Sequence, residues 1–348
     1  MMRQYIWTLL IVMLIINVVI FVFLLIKKTA MKMIRIKKEK IRQRYEAEFL
    51  NFITNQDSDF TLDPKTYLER KVLQSMILDY GSFISGATKR HLLEHIGKDL
   101  VVTKVKRHLK SRNMWKRKTG TFLAGEYELG EMTPQLLRQL KTPDNELLFV
   151  TARSLIKISN ELYLKDILIE VAKRERMTKN NVLSLIDLVQ GDIIETLEAV
   201  MYSGNTFLQM IALEEIGKRQ YQESVKWINE MTQQPQKELR IAALKASYSL
   251  GNIGNDEYLS HIMALENDTA WEVRAFLAKF LRKVNTDKSI DILTRLMSDE
   301  NWYVRHNASE SLLSHDEKGQ IALLRLLNAE DRFARDAANA VLQREALN

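Results

Sequence analysis

The chain of 348 residues contains no cysteine. That absence excludes disulfide staples, thiolate nucleophiles, Cys-ligated zinc and iron–sulfur clusters, and nothing in it points to an oxidising compartment. Proline and glycine are scarce, at 4 and 12 residues. Tight turns and sheet corners draw on those two residues, so with Leu, Ile, Lys and Glu abundant the composition predicts a mainly helical protein. Gly-rich phosphate loops are missing as well, because "LGNIGND" around Gly251 and Gly254 lacks the following Lys-Ser/Thr. No G-x-S-x-G nucleophile elbow occurs either.

What the sequence does contain begins with a long apolar run. Tyr5 to Ile26, "YIWTLLIVMLIINVVIFVFLLI", is 22 residues without a charge, long enough to cross a bilayer as a helix. A cleaved leader has a shorter apolar run ending in small residues, and Thr29-Ala30 is the one candidate for that. One basic residue, Arg3, precedes the run, whereas nine lie between Lys27 and Arg44 against the single acid Glu39. Lys and Arg stay on the cytoplasmic side, so the expected topology is a single-pass cell-membrane protein, N-terminus outside and body in the cytoplasm. Lys27, Lys28, Lys32, Arg35, Lys37 and Lys38 are then candidates for contact with anionic lipid.

Charge is unevenly distributed. The net +7 combines +9 over residues 1–44, −4 over 45–88, +9 over 89–118 and −7 over the remainder. The second basic cluster, "KDLVVTKVKRHLKSRNMWKRK", reads as a helix with Leu100, Val101, Val105 and Leu109 on its apolar face. Lys104, Arg107 and Lys110 project from the remainder as candidates for anionic lipid or an acidic protein. The other readings are a solvated face and nucleic-acid binding. The latter needs positive charge along the whole track, and the C-terminal two-thirds is net acidic.

From there the chain repeats itself. Arg240 is followed by Ala243 and Ser247, Arg274 by Leu277 and Leu281, Arg305 by Ala308 and Leu312, and Arg335 by Ala338 and Leu342, with steps of 34, 31 and 30 residues. Offsets of three and seven share one helical face, and small residues there admit a neighbouring helix. Gln209 with Ala212 and Ile216, Asn181 with Ser184 and Leu188, Val150 more weakly, and Arg117 with Gly120 and Ala124 extend the register to eight copies. A second apolar run precedes each such helix. A period near 31 with two helices per copy predicts an α-solenoid.

The segments "NDTAWEVRAFLAKFL", "DENWYVRHNASESLL" and "AEDRFARDAANAVL", with "QKELRIAALKASYSLG" looser, resemble the HEAT-repeat family in its short bacterial form. The resemblance is specific from about Gln236 to Leu347 and degenerate from about Met114 to Gln234. It implies an all-α fold: an N-terminal transmembrane helix followed by a right-handed HEAT-like, armadillo-type solenoid of about 7–8 helical pairs. It also implies a ladder in which an Asp six residues ahead joins the Arg. Asp268 with Arg274 and Asp299 with Arg305 fit that spacing, while Arg240 and Arg335 have Gln234 and Ala329 there.

The expected layout is an extracytoplasmic end (1–4), membrane helix (5–26), basic juxtamembrane stalk (27–53), linker (54–64), helical cap (65–112) and repeats (113–348). The stalk has Ile34, Ile41, Tyr45, Phe49 and Phe52 near one stripe.

In such folds the second helix of each pair lines the concave surface where partners bind. Trp271, Glu272, Trp302, Tyr303, His306, Arg332 and Phe333 are accordingly the candidate partner-binding residues. The expected function is a non-catalytic, membrane-anchored scaffold for protein partners, without cofactor or small-molecule substrate. The resemblance to bacterial membrane-anchored HEAT proteins suggests a helper of a machine such as a glycosyltransferase or exporter. Two enzyme readings compete with it. One is a HEAT-like DNA glycosylase. The other is a zinc peptidase at "HLLEH", with His91 and His95 as ligands and Glu94 as base.

Overall fold

A computed structural model describes residues 2–55, 62–84, 86–174, 177–251 and 256–346. The chain is helical throughout the described residues and divides into two compact units, residues 1–159 and 160–348.

The first unit begins with α1 (Met2–Asn55), an unbroken helix that contains an 18-residue window of mean hydropathy 3.5. It is long and apolar enough to cross a membrane. Its C-terminal end is not a free stalk. Phe49 and Phe52 are fully buried, with Phe49 stacked on Tyr80 of α2 (Tyr67–Gly81) at 5.2 Å. Arg42 meets Asp79 of α2 at 2.9 Å, and Arg44 pairs with Glu69. Of the stripe expected on the stalk, Phe49 and Phe52 form the apolar seam on which α2 folds, whereas Ile34 is exposed. The helix carries through positions 54 and 55 of the expected linker, and 56–61 lie outside the described residues.

After α2 come α3 (Gly86–His91), a π-helical segment (Leu92–Gly97) and α4 (Lys98–Leu109). Leu100, Val101, Val105 and Leu109 of α4 are buried as their spacing predicts. α5 (Met114–Glu126), α6 (Thr133–Gln139) and α7 (Asn145–Ser159) complete the unit. Close approach here depends on small residues. A Cβ on Gly125 of α5 would sit 2.6 Å from Ser154 Cα of α7, and one on Gly120 2.7 Å from His108 Cβ of α4.

The second unit is six antiparallel helix pairs. Their first, or A, helices are α8 (Leu164–Ala172), α10 (Ile194–Met201), α12 (Val225–Thr232), α14 (Asp256–Met263), α16 (Asp287–Leu296) and α18 (Glu317–Leu326). Their B helices are α9 (Lys179–Ile186), α11 (Thr206–Arg219), α13 (Lys237–Leu250), α15 (Trp271–Leu281), α17 (Trp302–Ser314) and α19 (Arg332–Ala346). Each A helix buries an apolar stripe, for example Ile290, Ile292, Leu293 and Leu296 of α16, against a B-helix row such as Val304, Ala308 and Leu312 of α17.

The start of a B helix, and of α5 and α7 in the first unit, is written in its cap. Asn113, Asp144, Thr178, Asn205 and Asn301 each accept a hydrogen bond from a backbone N–H two or three residues on, at 2.6 to 3.3 Å. Such a bond satisfies a donor that the first helical turn leaves open. Four residues past the cap lies the repeat's arginine position, which corrects two assignments. Leu148, not Val150, and Val182, not Asn181, occupy it. Leu148, Thr151 and Leu155, like Val182, Leu185 and Val189, are buried, whereas Asn181 and Ser184 are exposed.

Candidate protein-binding surface

The arginines and aspartates of the second unit form a ladder whose direction differs from the expected one. Arg240 Nε and Nη2 donate to Asp268 Oδ2 and Oδ1 at 2.6 and 2.9 Å. Arg274 makes the same fork to Asp299 at 2.6 and 3.0 Å. Each carboxylate therefore serves the arginine of the preceding repeat. Its backbone carbonyl serves the arginine six residues on: Arg274 Nη1 donates to Asp268 O and Arg305 Nη1 to Asp299 O, both at 2.7 Å. Arg240 thus has a full rung although Gln234 precedes it, its Nη1 donating to the Gln234 carbonyl at 2.8 Å. Arg335 keeps the carbonyl half through Ala329 O at 2.5 Å, and no carboxylate reaches it among the described residues. Side chains in the two complete rungs are 12% and 6% exposed, which makes them packing elements rather than reactive groups.

The aromatic candidates lie in the first turns of α15, α17 and α19. Trp271 stacks on Tyr303 of the next repeat, rings 5.5 Å apart and 20° from parallel. Trp302 stacks on His306 at 4.9 Å and meets Tyr303 edge-on at 5.1 Å. Phe333 lies over the Arg305 guanidinium at 4.5 Å. These rings pack between repeats and still leave much of themselves in solvent: Trp302 and Tyr303 are 57% exposed and Phe333 50%. Half-exposed rings held in place by neighbours lose little rotamer entropy when a partner covers them. Of the charged candidates, Glu272 is engaged by Lys237 at 2.7 Å, which holds its carboxyl below the usual range. Arg332 reaches Asp336 at 3.4 Å.

Sequence reading missed a cleft of about 270 Å³ between α13 and α15, lined by Tyr248, Phe276, Lys245 and Lys279. Lys245 lies 4.5 Å from the Phe276 ring, while Lys279 and Lys283 lie 5.4 and 4.2 Å from that of Tyr248. Burial, then the neighbouring Lys179, pulls the Lys245 ammonium below its ordinary value. Among the described residues neither Lys245 nor Lys279 forms a salt bridge. The missed signal lies five residues past the repeat's arginine position, where Glu214, Lys245, Lys279 and Glu310 follow one another.

The remaining candidates fall elsewhere. His91 stacks on Phe52 at 5.5 Å. The chain winds as a π-helix immediately after it, Lys98 N–H reaching back five residues to Leu93 O. The side chains of Glu94 and His95 lie outside the described residues. No group of three or more metal-ligating side chains occurs among the described residues. In the basic cluster, Lys106 meets Glu131 at 3.4 Å, and Lys118 meets Asp144 at 3.2 Å and also pairs with Glu146. Lys104, Arg107 and Lys110 make no salt bridge among the described residues, nor do Lys27, Lys28, Lys32, Arg35, Lys37 and Lys38, all exposed on α1.

Paired helices repeated with an interlocking arginine ladder define an α-helical repeat protein of the solenoid class. Residues 259–343 match the family described as HEAT repeats, so that stretch of the chain is a HEAT-repeat array. Solved structures similar to it include an engineered protein (14% identity, covering 85% of this chain and 87% of that one, TM-score 0.36). A designed armadillo repeat protein shares 17% identity over 62% of this chain and 99% of its own, TM-score 0.32. Human deoxyhypusine hydroxylase shares 13% identity over 90% of this chain and 100% of its own, TM-score 0.30. No curated protein matches.

Proposed function

We propose that the protein is a membrane-anchored scaffold that holds a protein partner on the B-helix side of residues 160–348. The observation that carries this reading is the row of rings from Trp271 to Phe333, braced against one another and half open to solvent. Tyr and Trp supply large contact area at small entropic cost, which is why interfaces concentrate their binding energy on them. The apolar part of α1 is the anchor, and the nine basic residues that follow it keep the repeats in the cytoplasm. The anchor confines the surface to partners at the bilayer, such as a membrane-bound glycosyltransferase or an exporter. The scaffold has no chemistry of its own in this reading.

Photo-cross-linking in intact membranes tests it. A benzophenone amino acid at Tyr303 should trap one discrete protein, and the same group at Ile321 on an A helix should trap none. Equal labelling at both positions, or none at either, refutes the assigned surface. Recovery of the chain in the soluble fraction refutes the anchor.

A further inference from the structure

Arg305 repeats the geometry of Arg240 and Arg274 with one part missing. Its Nη1 donates to the carbonyls of Asp299 and Glu300 at 2.7 and 2.9 Å, as in the rungs before it. The position that would supply the carboxylate, six residues ahead of the next arginine, is Ala329. Among the described residues no acceptor reaches Arg305 Nε or Nη2. Asp331, close by in sequence, accepts the Ala334 backbone N–H at 2.7 Å and makes no bond to Arg305 among the described residues. Phe333 covers the face of the guanidinium and leaves its edge free. A cleft of about 360 Å³ opens beside it, lined also by Trp302 and His306. The two acids of that cleft are already engaged, Glu310 by Arg344 at 2.5 Å and Asp336 by Arg332 at 3.4 Å.

The edge of a guanidinium carries two parallel donors that match one carboxylate, and the two complete rungs show that match within this chain. We infer that Arg305 is a rung left open for a partner: it takes the carboxylate of an Asp or Glu in an acidic segment laid across the B helices. This rests on the scaffold reading and adds the chemistry of the partner. Lys245 on α13 and Lys279 on α15, without salt bridges of their own, form a second anion-binding subsite one to two repeats away. Helix spacing of about 10 Å puts these ammonium groups roughly 10–20 Å from Arg305. An extended segment of about three to six residues spans that range.

A fluorescein-labelled peptide of repeated Glu-Glu-Phe, and its Gln-for-Glu counterpart, can be titrated by anisotropy against the full chain in detergent micelles. The acidic peptide should bind at least tenfold more tightly than the neutral one. Arg305→Gln should weaken it on the order of tenfold, the worth of a charge-assisted fork. Ala329→Asp, which supplies the missing carboxylate in cis, should weaken it as much while leaving the melting curve unchanged or raised. Lys318→Gln on an A helix should have no effect. Equal binding of the two peptides, no binding of either, or parental affinity in both the Arg305 and Ala329 variants overturns the assignment. Equal binding that Trp302→Ala abolishes leaves the scaffold surface standing without its acid preference. Arg305-dependent binding of the acidic peptide alongside failed cross-linking keeps the carboxylate subsite and removes the scaffold.

Discussion

Replacing Asp299 by alanine should cost far more than removing a typical surface acid. The carboxylate accepts two charge-assisted bonds from Arg274 at 2.6 and 3.0 Å and a third from the Asn301 backbone N–H at 2.8 Å. Breaking a well-buried ion pair from one side costs about 3–5 kcal/mol, because the remaining charge is left without compensation. Here Arg274 keeps its bond to Asp268 O, and Glu300, 3.8 Å away and 90% exposed, can move in. Those two features bring the expected loss to roughly 2–4 kcal/mol, or about 5–10 °C in Tm for a unit of this size. The control is Asp287→Ala, which removes a pair with Lys318 at 68% and 80% exposure and should leave stability close to the parent's.

Urea melts of the full chain, with hydrogen exchange to locate the opening, should show protection lost first at the ends of α15 and α17. In a repeat array each pair is stabilised chiefly by its neighbours, so local opening precedes global unfolding. A double-mutant cycle with Arg274→Ala should return a coupling of about 1–3 kcal/mol. Additive effects, or an Asp299→Ala loss equal to that of Asp287→Ala, would show that the rung contributes no more than surface charge.

Gly125→Ala should destabilise the first unit by about 1–3 kcal/mol in thermal melts, since its methyl would meet the Ser154 backbone at 2.6 Å and neither helix can easily move. Tyr127→Phe should cost about 1 kcal/mol, because it removes the bond that the buried hydroxyl donates to Gln74 O at 2.8 Å. His315 is buried with Nε2 3.0 Å from Leu281 O, and burial lowers its folded-state pKa from the ordinary 6.5. Its contribution is therefore complete above pH 6.5 and declines as pH falls from there toward the folded-state value, where the unfolded chain binds the extra proton. Urea midpoints from pH 7.5 to 5 should fall more steeply for the parent than for His315→Gln.

How far these features could be read beforehand depended on what each residue had to satisfy. The arginine register was legible wherever Arg and a small residue three positions on occur together. It slipped by two at Val150 and by one at Asn181, where Leu148 and Val182 fill the position without a charge to mark it. The caps Asp144 and Thr178 held the missing information, since a helix start fixes every later position. The ladder's direction was hidden for a different reason. Asp268 and Asp299 each give one oxygen to a backbone N–H two residues on, at 2.9 and 2.8 Å. That bond helps orient the carboxylate toward the preceding repeat, and a spacing of six cannot reveal it. Positions that pack recur, and recurrence makes them visible. A site that binds another molecule must leave something unsatisfied, so it falls where a copy departs from the pattern. By that logic the residue most informative about the partner is Ala329, whose missing carboxylate leaves Arg305 the one arginine among Arg240, Arg274 and Arg305 without an acid on its edge.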